Sequence, residues 1–241
     1  MAPRIVLSDD ELSKIGQPVA KGRRLAIGDL DKIPARLTGA GWDAPKVAGE
    51  KIDLDLVTLM LCIDDGPVAE RTDSGLYVAS RDRLVHYNPK NRKAKVRDAS
   101  GAVEYQGDSV DGEESLNDED EFMRMEYPLI PPDVVALMTL INIHKQSDST
   151  PFVKRLTFDQ IGRAFVSSFP EGAQNDPKRK RVIRLDDTKF QGTDTIVVKF
   201  DWRRDEGWEE EFVEQHVQHL PQFADRPNAG FLSAVWPYGL G

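Results

Sequence analysis

The fold class follows from one stretch of the chain, Ile52-Asp53-Leu54-Asp55-Leu56-Val57-Thr58-Leu59-Met60-Leu61-Cys62-Ile63. Beyond the two aspartates, both faces of a strand built from these residues are apolar, which is typical of a strand packed on both sides. Side chains alternate along a strand, so Asp53 and Asp55 point to the same face about 7 Å apart. Two carboxylates at the mouth of a buried strand are costly unless a cation pairs with them, and calcium prefers such oxygen ligands.

A second stretch, from Asp108 to Glu121, concentrates the negative charge. It contains eight Asp and Glu residues and no Lys or Arg, so it accounts for eight of the nine net negative charges of the chain. Gly107 and Gly112 permit tight turns that fold carboxylates toward one centre. The spacing is not that of an EF-hand, because Val110 and Gly112 stand where oxygen ligands are required. The segment is either a solvated acidic loop or, together with the acidic pair of the first stretch, part of a calcium site built from separate loops.

The composition is that of a globular protein with a sizeable core. The length of 241 residues fits one large domain or two small ones, and 39% of the residues are apolar. No run approaches the roughly 18 apolar residues that a membrane-spanning helix needs. A net charge of −9 argues against nucleic acid as a partner, because phosphate binding requires a basic face. Cys62 is the only cysteine and its apolar neighbours predict a buried thiol; with no visible signal peptide, these features predict a cytoplasmic protein.

Short strand-like segments separated by Gly, Pro and Asn recur along the chain. They predict a mainly β fold, a β-sandwich of two packed sheets with a few short helices. Val134 to His144 suits a buried strand, although its length also allows a helix. Ser8-Asp9-Asp10-Glu11 is a capping box that predicts a short helix through Ile15, and Thr157 to Gln160 predicts the start of a short amphipathic helix toward Phe165.

Three regions are predicted along the chain. Residues 1–19 form an N-terminal extension, residues 20–212 form the sandwich, and residues 213–241 form a C-terminal helix and an apolar tail. The helix prediction rests on Trp208 to Leu220, which we interpret as helical.

Several short motifs follow one another in a fixed order: Lys21-Gly22, Gly41-Trp42-Asp43, Ile52-Asp53-Leu54-Asp55, Val85-His86-Tyr87-Asn88, Gly107-Asp108-Ser109, Glu119-Asp120-Glu121, Val134 to His144, and Phe158 to Phe165. This series resembles the TerD-domain family of tellurium-resistance and stress-response proteins. Each motif alone is weak, and the resemblance rests on their shared order over roughly residues 20 to 212.

The resemblance implies a β-sandwich with a calcium site at one end, where acidic loops hold one or two ions. The matching positions give the implied ligands Asp53, Asp55, Asp108, Glu119, Asp120 and Glu121. Asp111 stands where the family often has Thr, and its carboxylate makes it a further candidate ligand. Ser109 replaces the family's Asn and is a weaker oxygen ligand, and residues 69–83 are interpreted as an insertion.

The sequence favours binding over catalysis. It contains no phosphate loop, dinucleotide fingerprint or nucleophile elbow. His216 and His219 have a spacing that can chelate zinc on a helix, but a surface helix end is the simpler interpretation, and His144 is interpreted as a hydrogen-bonded structural residue. Crowded carboxylates raise one another's pKa values unless a cation is bound, so calcium explains the acidic cluster better than glycoside hydrolysis does.

The expected function is that of a non-catalytic calcium-binding module in a stress-response or membrane-associated complex. The alternative is a structural or decoration protein of a phage particle or other large assembly, which would place the chain in a virion. The apolar tail Phe231 to Gly239 either folds back or docks on a protein partner or a second copy. A third interpretation is attachment to an anionic membrane through the basic segments Lys90 to Arg97 and Lys178 to Arg181.

Overall fold

The computed structural model describes residues 7–28, 32, 34–43, 53–63, 76–77, 83–86, 95–106, 119–144, 151, 156–185 and 193–217. The predicted ligands Asp108 and Asp111, the apolar tail Phe231 to Gly239 and His219 lie outside these residues, as does most of the segment Lys90 to Arg97. Predictions about them are neither confirmed nor contradicted.

The elements whose bounds can be given are an α-helix and fourteen strands, with 3₁₀ turns at Tyr127–Leu129 and Phe158–Gln160. The elements are α1 (Asp9–Ile15), β1 (Gln17–Pro18), β2 (Arg24–Ala26), β3 (Ala35–Asp43), β4 (Leu54–Ile63), β5 (Leu76–Tyr77), β6 (Leu84–Val85), β7 (Val96–Arg97), β8 (Val103–Tyr105), β9 (Glu121–Glu126), β10 (Val134–Ile143), β11 (Gly162–Pro170), β12 (Arg181–Arg184), β13 (Thr195–Arg204) and β14 (Gly207–Val217). In this part of the chain, no helix is long and apolar enough to cross a bilayer.

The strands form two seven-stranded sheets, which confirms the predicted mainly β fold of two packed sheets. The first sheet has the order β1-β12-β11-β3-β9-β8-β7, and the second has the order β2-β14-β13-β10-β4-β5 with β6 also paired to β4. All these pairs are antiparallel except β1 with β12. Such pairing is typical of sandwiches, in which each strand shows one face to the shared core.

Strand β4 is buried on both faces, as its sequence predicts. Its residues Leu54, Leu56 and Met60 belong to the core between the sheets. On the opposite face lies a second apolar cluster that also draws on β10 and β13: Val57, Leu59, Leu61, Ala136, Met138, Leu140, Val197, Phe200 and Trp202, with Leu76 of β5. Residues 54–62 are all buried, so this strand is a central piece of the hydrophobic structure.

The N-terminal helix is confirmed with the predicted cap. The Glu11 carboxylate accepts hydrogen bonds from the Ser8 backbone N–H (2.8 Å) and hydroxyl (2.7 Å), and the Glu11 N–H donates back to Ser8 Oγ. Leu12 and Ile15 of α1 pack on Phe165 and Val182, on the outer face of the first sheet. Helix α1 ends at Ile15, and at the capping residue Gly16 a Cβ would lie 2.8 Å from the Lys180 carbonyl oxygen.

The predicted helix over Trp208 to Leu220 is wrong, because residues 207–217 form strand β14. Its glutamates are good helix formers, and Trp208 and Phe212 stand four residues apart, which suits a helix equally well. Pairing with β13 and β2 places Trp208, Glu210 and Phe212 on the inner face instead. Tertiary contacts therefore override the local preference, and the C-terminal region after residue 212 begins with the end of a strand.

The structure determines the conformation of two further segments that the sequence left open. Val134 to Ile143 is a strand, because β4 and β13 pair with it on either side. Thr157 has its predicted capping box with Gln160, but only one 3₁₀ turn follows before β11 begins at Gly162. The expected helix toward Phe165 is therefore wrong beyond Gln160.

A network of buried charged side chains joins the two sheets. Its charged members are Arg36 and the partly buried Arg181 of the first sheet and Lys199, Asp201 and Glu210 of the second, and the Ser168 hydroxyl of the first sheet joins them. Lys199 Nζ lies 3.0 Å from Asp201 Oδ2, and Ser168 donates a 2.6 Å hydrogen bond to Glu210. Burial alone would raise the pKa of Glu210, but Arg36, Lys199 and Arg181 hold it below its ordinary value, whereas burial raises the pKa of Asp201.

We expect Glu210→Gln to lower the free energy of unfolding by about 3 kcal/mol, because it leaves Arg36 and Lys199 buried without their shared carboxylate. Glu209 is the matched control, since its carboxylate pairs with Arg204 on the exposed side of the same strand. Glu209→Gln should change the stability by no more than about 0.5 kcal/mol. Urea unfolding of both full-length variants measures the difference, and equal losses would contradict the role given to the network.

We expect the Glu11 carboxyl to titrate with a pKa of about 2 rather than 4.5, because the Ser8 backbone N–H and hydroxyl both donate to its ionised form. A lowered folded-state pKa means that the cap is complete above about pH 4.5 and is lost as the pH falls toward 2. An NMR titration of the side-chain carboxyl carbon measures this midpoint. A midpoint near the ordinary value would show that the capping box does not persist in solution.

Candidate metal centre

The pairing of β4 with β10 brings three titratable side chains to one end of the second sheet. Asp55 lies directly opposite Asn142, and Leu54 lies opposite Ile143. One residue further, the His144 N–H donates a 2.8 Å hydrogen bond to the carbonyl of Asp53. The register therefore places His144 beside the two aspartates that open β4.

The side chains of Asp53, Asp55 and His144 form a compact group. Each offers one ligand atom, and these atoms all lie within 4.8 Å of one another. His144 Nδ1 lies 2.6 Å from Asp55 Oδ2. The Asp55 side chain is 2% exposed and that of His144 is 11% exposed, so the group is largely shielded from solvent. Two carboxylates and an imidazole at this distance are a donor set that divalent metals use in proteins.

Alternation along β4 places this group on the outer face of the second sheet. Leu54 and Leu56 point into the core between the sheets, and Val57 points into the outer cluster. Asp53 and Asp55 share the direction of Val57. The group therefore lies where the outer apolar cluster ends, and Asn142, whose side-chain oxygen accepts a 2.8 Å hydrogen bond from Thr195 Oγ1, continues this polar end of the sheet.

Glu121, a predicted ligand, links the two sheets at this same end. Its Oε2 accepts a 2.8 Å hydrogen bond from the Leu56 N–H, and its Oε1 accepts a 2.7 Å hydrogen bond from the Tyr105 hydroxyl. The side chain is fully buried. Among the described residues, no strand pairs with this edge of β4 at residues 54–57. The Glu121 carboxylate therefore accepts a hydrogen bond from the Leu56 N–H, which strand pairing does not use.

Asp120 lies next to this link. Its Oδ2 accepts a 3.1 Å hydrogen bond from the Trp42 N–H, and its own N–H donates to the carbonyl of Ala40. Because Glu121 touches Leu56, the residue after Asp55, the acidic segment re-enters the sandwich beside the Asp53 and Asp55 pair. The end of the acidic segment is therefore joined to β4 through Glu121, whereas Asp120 contacts β3.

Glu119, another predicted ligand, forms a buried ion pair with Lys180. Both of its oxygens contact Lys180 Nζ, at 2.6 and 3.0 Å, and Oε1 also accepts a hydrogen bond from the Ser167 hydroxyl. The side chain lies over Gly39, where a Cβ would overlap it. The structure thus keeps Glu119 apart from the Asp53, Asp55 and His144 group and engages it in a buried ion pair.

The sequence interpretation missed the place of His144 in the group. It expected a hydrogen-bonded structural residue, and the hydrogen-bonding distance to Asp55 agrees with that in part. The available signal was that an apolar strand ending in Ile-His has the same length as the strand that begins Asp-Leu-Asp. Antiparallel pairing of two such strands brings the ends together.

The other histidine and cysteine predictions concern residues away from this group. His216 lies on a strand, with Nδ1 2.7 Å from Thr193 Oγ1, and within the described ranges it belongs to no cluster of metal-ligand side chains. Cys62 is buried, its sulfur accepts a hydrogen bond from Arg83, and burial raises the pKa of the thiol. A buried thiol of raised pKa is a poor nucleophile.

The basic segment Lys178 to Arg181 is partly used inside the fold. Lys180 is buried against Glu119, and Arg181 pairs with Glu210. The exposed members of the segment are Lys178 and Arg179. Two of the four basic residues of this segment are therefore already paired with carboxylates of the protein.

Comparison with known proteins gives one consistent result. The TerD domain model matches residues 16–224. Two curated relatives, each called tellurium resistance protein TerD, come from Alcaligenes sp. and Serratia marcescens; each is 26% identical over 162 residues, which cover 67% of this chain and 69% of the relative.

Two solved structures share the fold. One is a homologue of telluride resistance protein TerD from Streptomyces coelicolor A3(2), with a TM-score of 0.55 and 16% identity over 78% of this chain and 93% of that one. The other is a protein described as of unknown function, with a TM-score of 0.55 and 21% identity over 80% of this chain and 95% of that one. The family match over most of the sequence and the shared sandwich lead to one conclusion: the chain belongs to the TerD domain family.

Proposed function

We propose that this chain is a non-catalytic calcium-binding module. The observation that carries the proposal is the buried pair Asp53 and Asp55, held at the end of β4 beside the point where the acidic segment re-enters the sandwich at Glu121. Calcium takes six to eight oxygen ligands, more than one strand can supply, so a second acidic element is needed. The acidic segment from Asp108 to Glu121 would be that element.

The residues that would hold calcium are fewer than the sequence predicts. Asp53 and Asp55 would supply carboxylates at the start of β4, Asp120 would supply another from the end of the acidic segment, and Asp108 and Asp111 remain predicted ligands. Glu121 and Glu119 have protein partners for both oxygens, so we assign them to holding the acidic segment in place. The bound ion would neutralise carboxylates whose burial is otherwise unfavourable.

The relatives called tellurium resistance proteins support a role of the same kind for this chain. We infer that it serves a cytoplasmic tellurite-resistance or stress-response complex as a binding component. Calcium would order the acidic segment and stabilise the fold, so that partner binding depends on the ion.

We expect calcium to raise the melting temperature of the full-length protein. At a hundredfold excess over the dissociation constant, one bound ion stabilises the folded state by about 2.7 kcal/mol. For a domain of this size that is on the order of 5–10 °C. Calorimetric scans in calcium chloride and in a chelator test this, and coincident curves would remove the calcium proposal.

We expect Asp55→Asn to abolish most of the calcium-dependent rise in melting temperature, because it removes a buried ligand carboxylate. Glu119→Gln is the matched control from the acidic segment. It should lower the melting temperature without calcium, since Lys180 loses its partner, but the rise caused by calcium should stay the same. Loss of that rise in Glu119→Gln, with retention in Asp55→Asn, would place the ion elsewhere.

A further inference from the structure

The outer face of the second sheet, which points away from the first sheet, is a continuous apolar surface on β4, β10 and β13. Its central side chains are Leu59, Leu61, Met138, Leu140 and Val197. Within the described ranges, every member of this cluster belongs to a strand of the second sheet. The first sheet differs in this respect, because helix α1 packs on its outer face through Leu12 and Ile15.

The centre of this outer face is shielded from solvent more completely than a bare sheet allows. The five central side chains are all 0% exposed. Ile63 lies two residues beyond Leu61 on the same side of β4, and it is 59% exposed. A sheet face that nothing covers stays in contact with water. The contrast between Leu61 and Ile63 therefore marks the limit of a cover, and because the exposed fractions are those of one chain by itself, the cover belongs to this chain.

Composition distinguishes the stretches of chain that could supply the cover. Each internal stretch of five or more residues outside the described ranges carries at least two charged residues, and residues 64–75 and 107–118 carry five each. The apolar tail, Phe231 to Gly239, has six apolar residues among nine and no charge. Burying a charge against an apolar face is costly, whereas burying an apolar side chain is favourable. The tail is therefore the segment whose chemistry matches the face.

The chain before the tail is long enough to reach this face. Strand β14 ends at Val217, opposite Thr195 at the start of β13. Neighbouring strands lie about 4.8 Å apart, so β10 is about 10 Å from β14 across the sheet. The 13 residues from 218 to 230 span up to about 43 Å when extended. Val213 of β14 already packs against the apolar cluster, so the tail has only to turn back over a face that its own strand borders.

From these observations we propose that the apolar tail docks on the outer face of the second sheet of the same chain and shields β4, β10 and β13. The inference goes beyond the proposed function and does not depend on calcium binding. A docked tail keeps a large apolar surface out of water, and a displaced tail would uncover a face of the kind that binds other proteins or a second copy.

The first test places the photo-crosslinking residue p-benzoylphenylalanine at position 236 of the full-length chain, in exchange for Trp236. Irradiation should join this residue to β4, β10 or β13, and mass spectrometry of the peptides identifies the position. The matched control carries the same residue in exchange for Lys14, which is exposed on α1. The control should give no cross-link to residues 218–241, because α1 lies on the outer face of the other sheet.

An equal mixture of ¹⁴N-labelled and ¹⁵N-labelled chains identifies which chain supplies the tail. Cross-linked peptides that carry the same isotope throughout support docking within one chain. Peptide pairs of mixed isotope would show that the tail docks on a second copy, which overturns the proposal. Cross-links from position 236 that miss the second sheet would overturn it as well.

The second test makes the tail polar in the full-length chain. Leu232→Asp combined with Trp236→Asp should detach the tail, because two carboxylates are costly to bury on an apolar face. The dye ANS should then fluoresce several-fold more strongly, and sedimentation velocity should show self-association that grows with concentration. The matched control, Gln222→Asp combined with Asn228→Asp, adds the same charge at polar positions of the C-terminal segment and should behave like the wild type.

The two double variants decide between a docked tail and a tail that lies in solvent. A tail in solvent predicts the same ANS fluorescence and the same sedimentation for both variants, and that result would contradict the proposal. A change confined to the variant at positions 232 and 236 supports it.

Discussion

The antiparallel pairing of β4 with β10 is the constraint on which the rest of the structure depends. It fixes the register that places His144 beside Asp53 and Asp55, while apolar clusters bury both faces of β4. A shift of one residue would turn Asp55 into the core and turn Leu54 and Leu56 outward. The apolar residues that determine the fold therefore also determine the geometry of the candidate metal centre, and the two cannot vary independently.

Polar contacts define how the sheets face each other. Apolar packing alone would let one sheet slide over the other. The hydrogen bonds that Glu121 accepts from Tyr105 and Leu56 form in only one alignment of the two sheets. The pairing of Glu210 with Arg36 and Arg181 has the same effect at the β13 and β14 side of the sandwich. We infer that these buried charges specify the alignment of the sheets more than they add stability, because desolvation offsets much of their attraction.

The sequence predicts the parts that depend on local patterns. The two-sided apolar run before Ile63, the capping box at Ser8 and the two-sheet architecture all follow from residue order and alternation. The strand at Trp208 could not be predicted, since it depends on pairing with β13 and β2 and on the burial of Glu210 against Arg36 and Lys199. For the same reason the resemblance alone implies three ligands in the acidic triplet, whereas in the structure Glu119 contacts Lys180 and Glu121 contacts Leu56.

The connectivity of the second sheet has a consequence for synthesis of the chain on the ribosome. Strand β4 ends at Ile63, but its partner β10 begins at Val134, about 70 residues later. At roughly 5–20 residues per second, the apolar β4 segment waits about 4–14 s for this partner. Such a segment with a free edge is prone to aggregate, so nascent-chain protection of residues 54–63 becomes a requirement for the yield of folded protein.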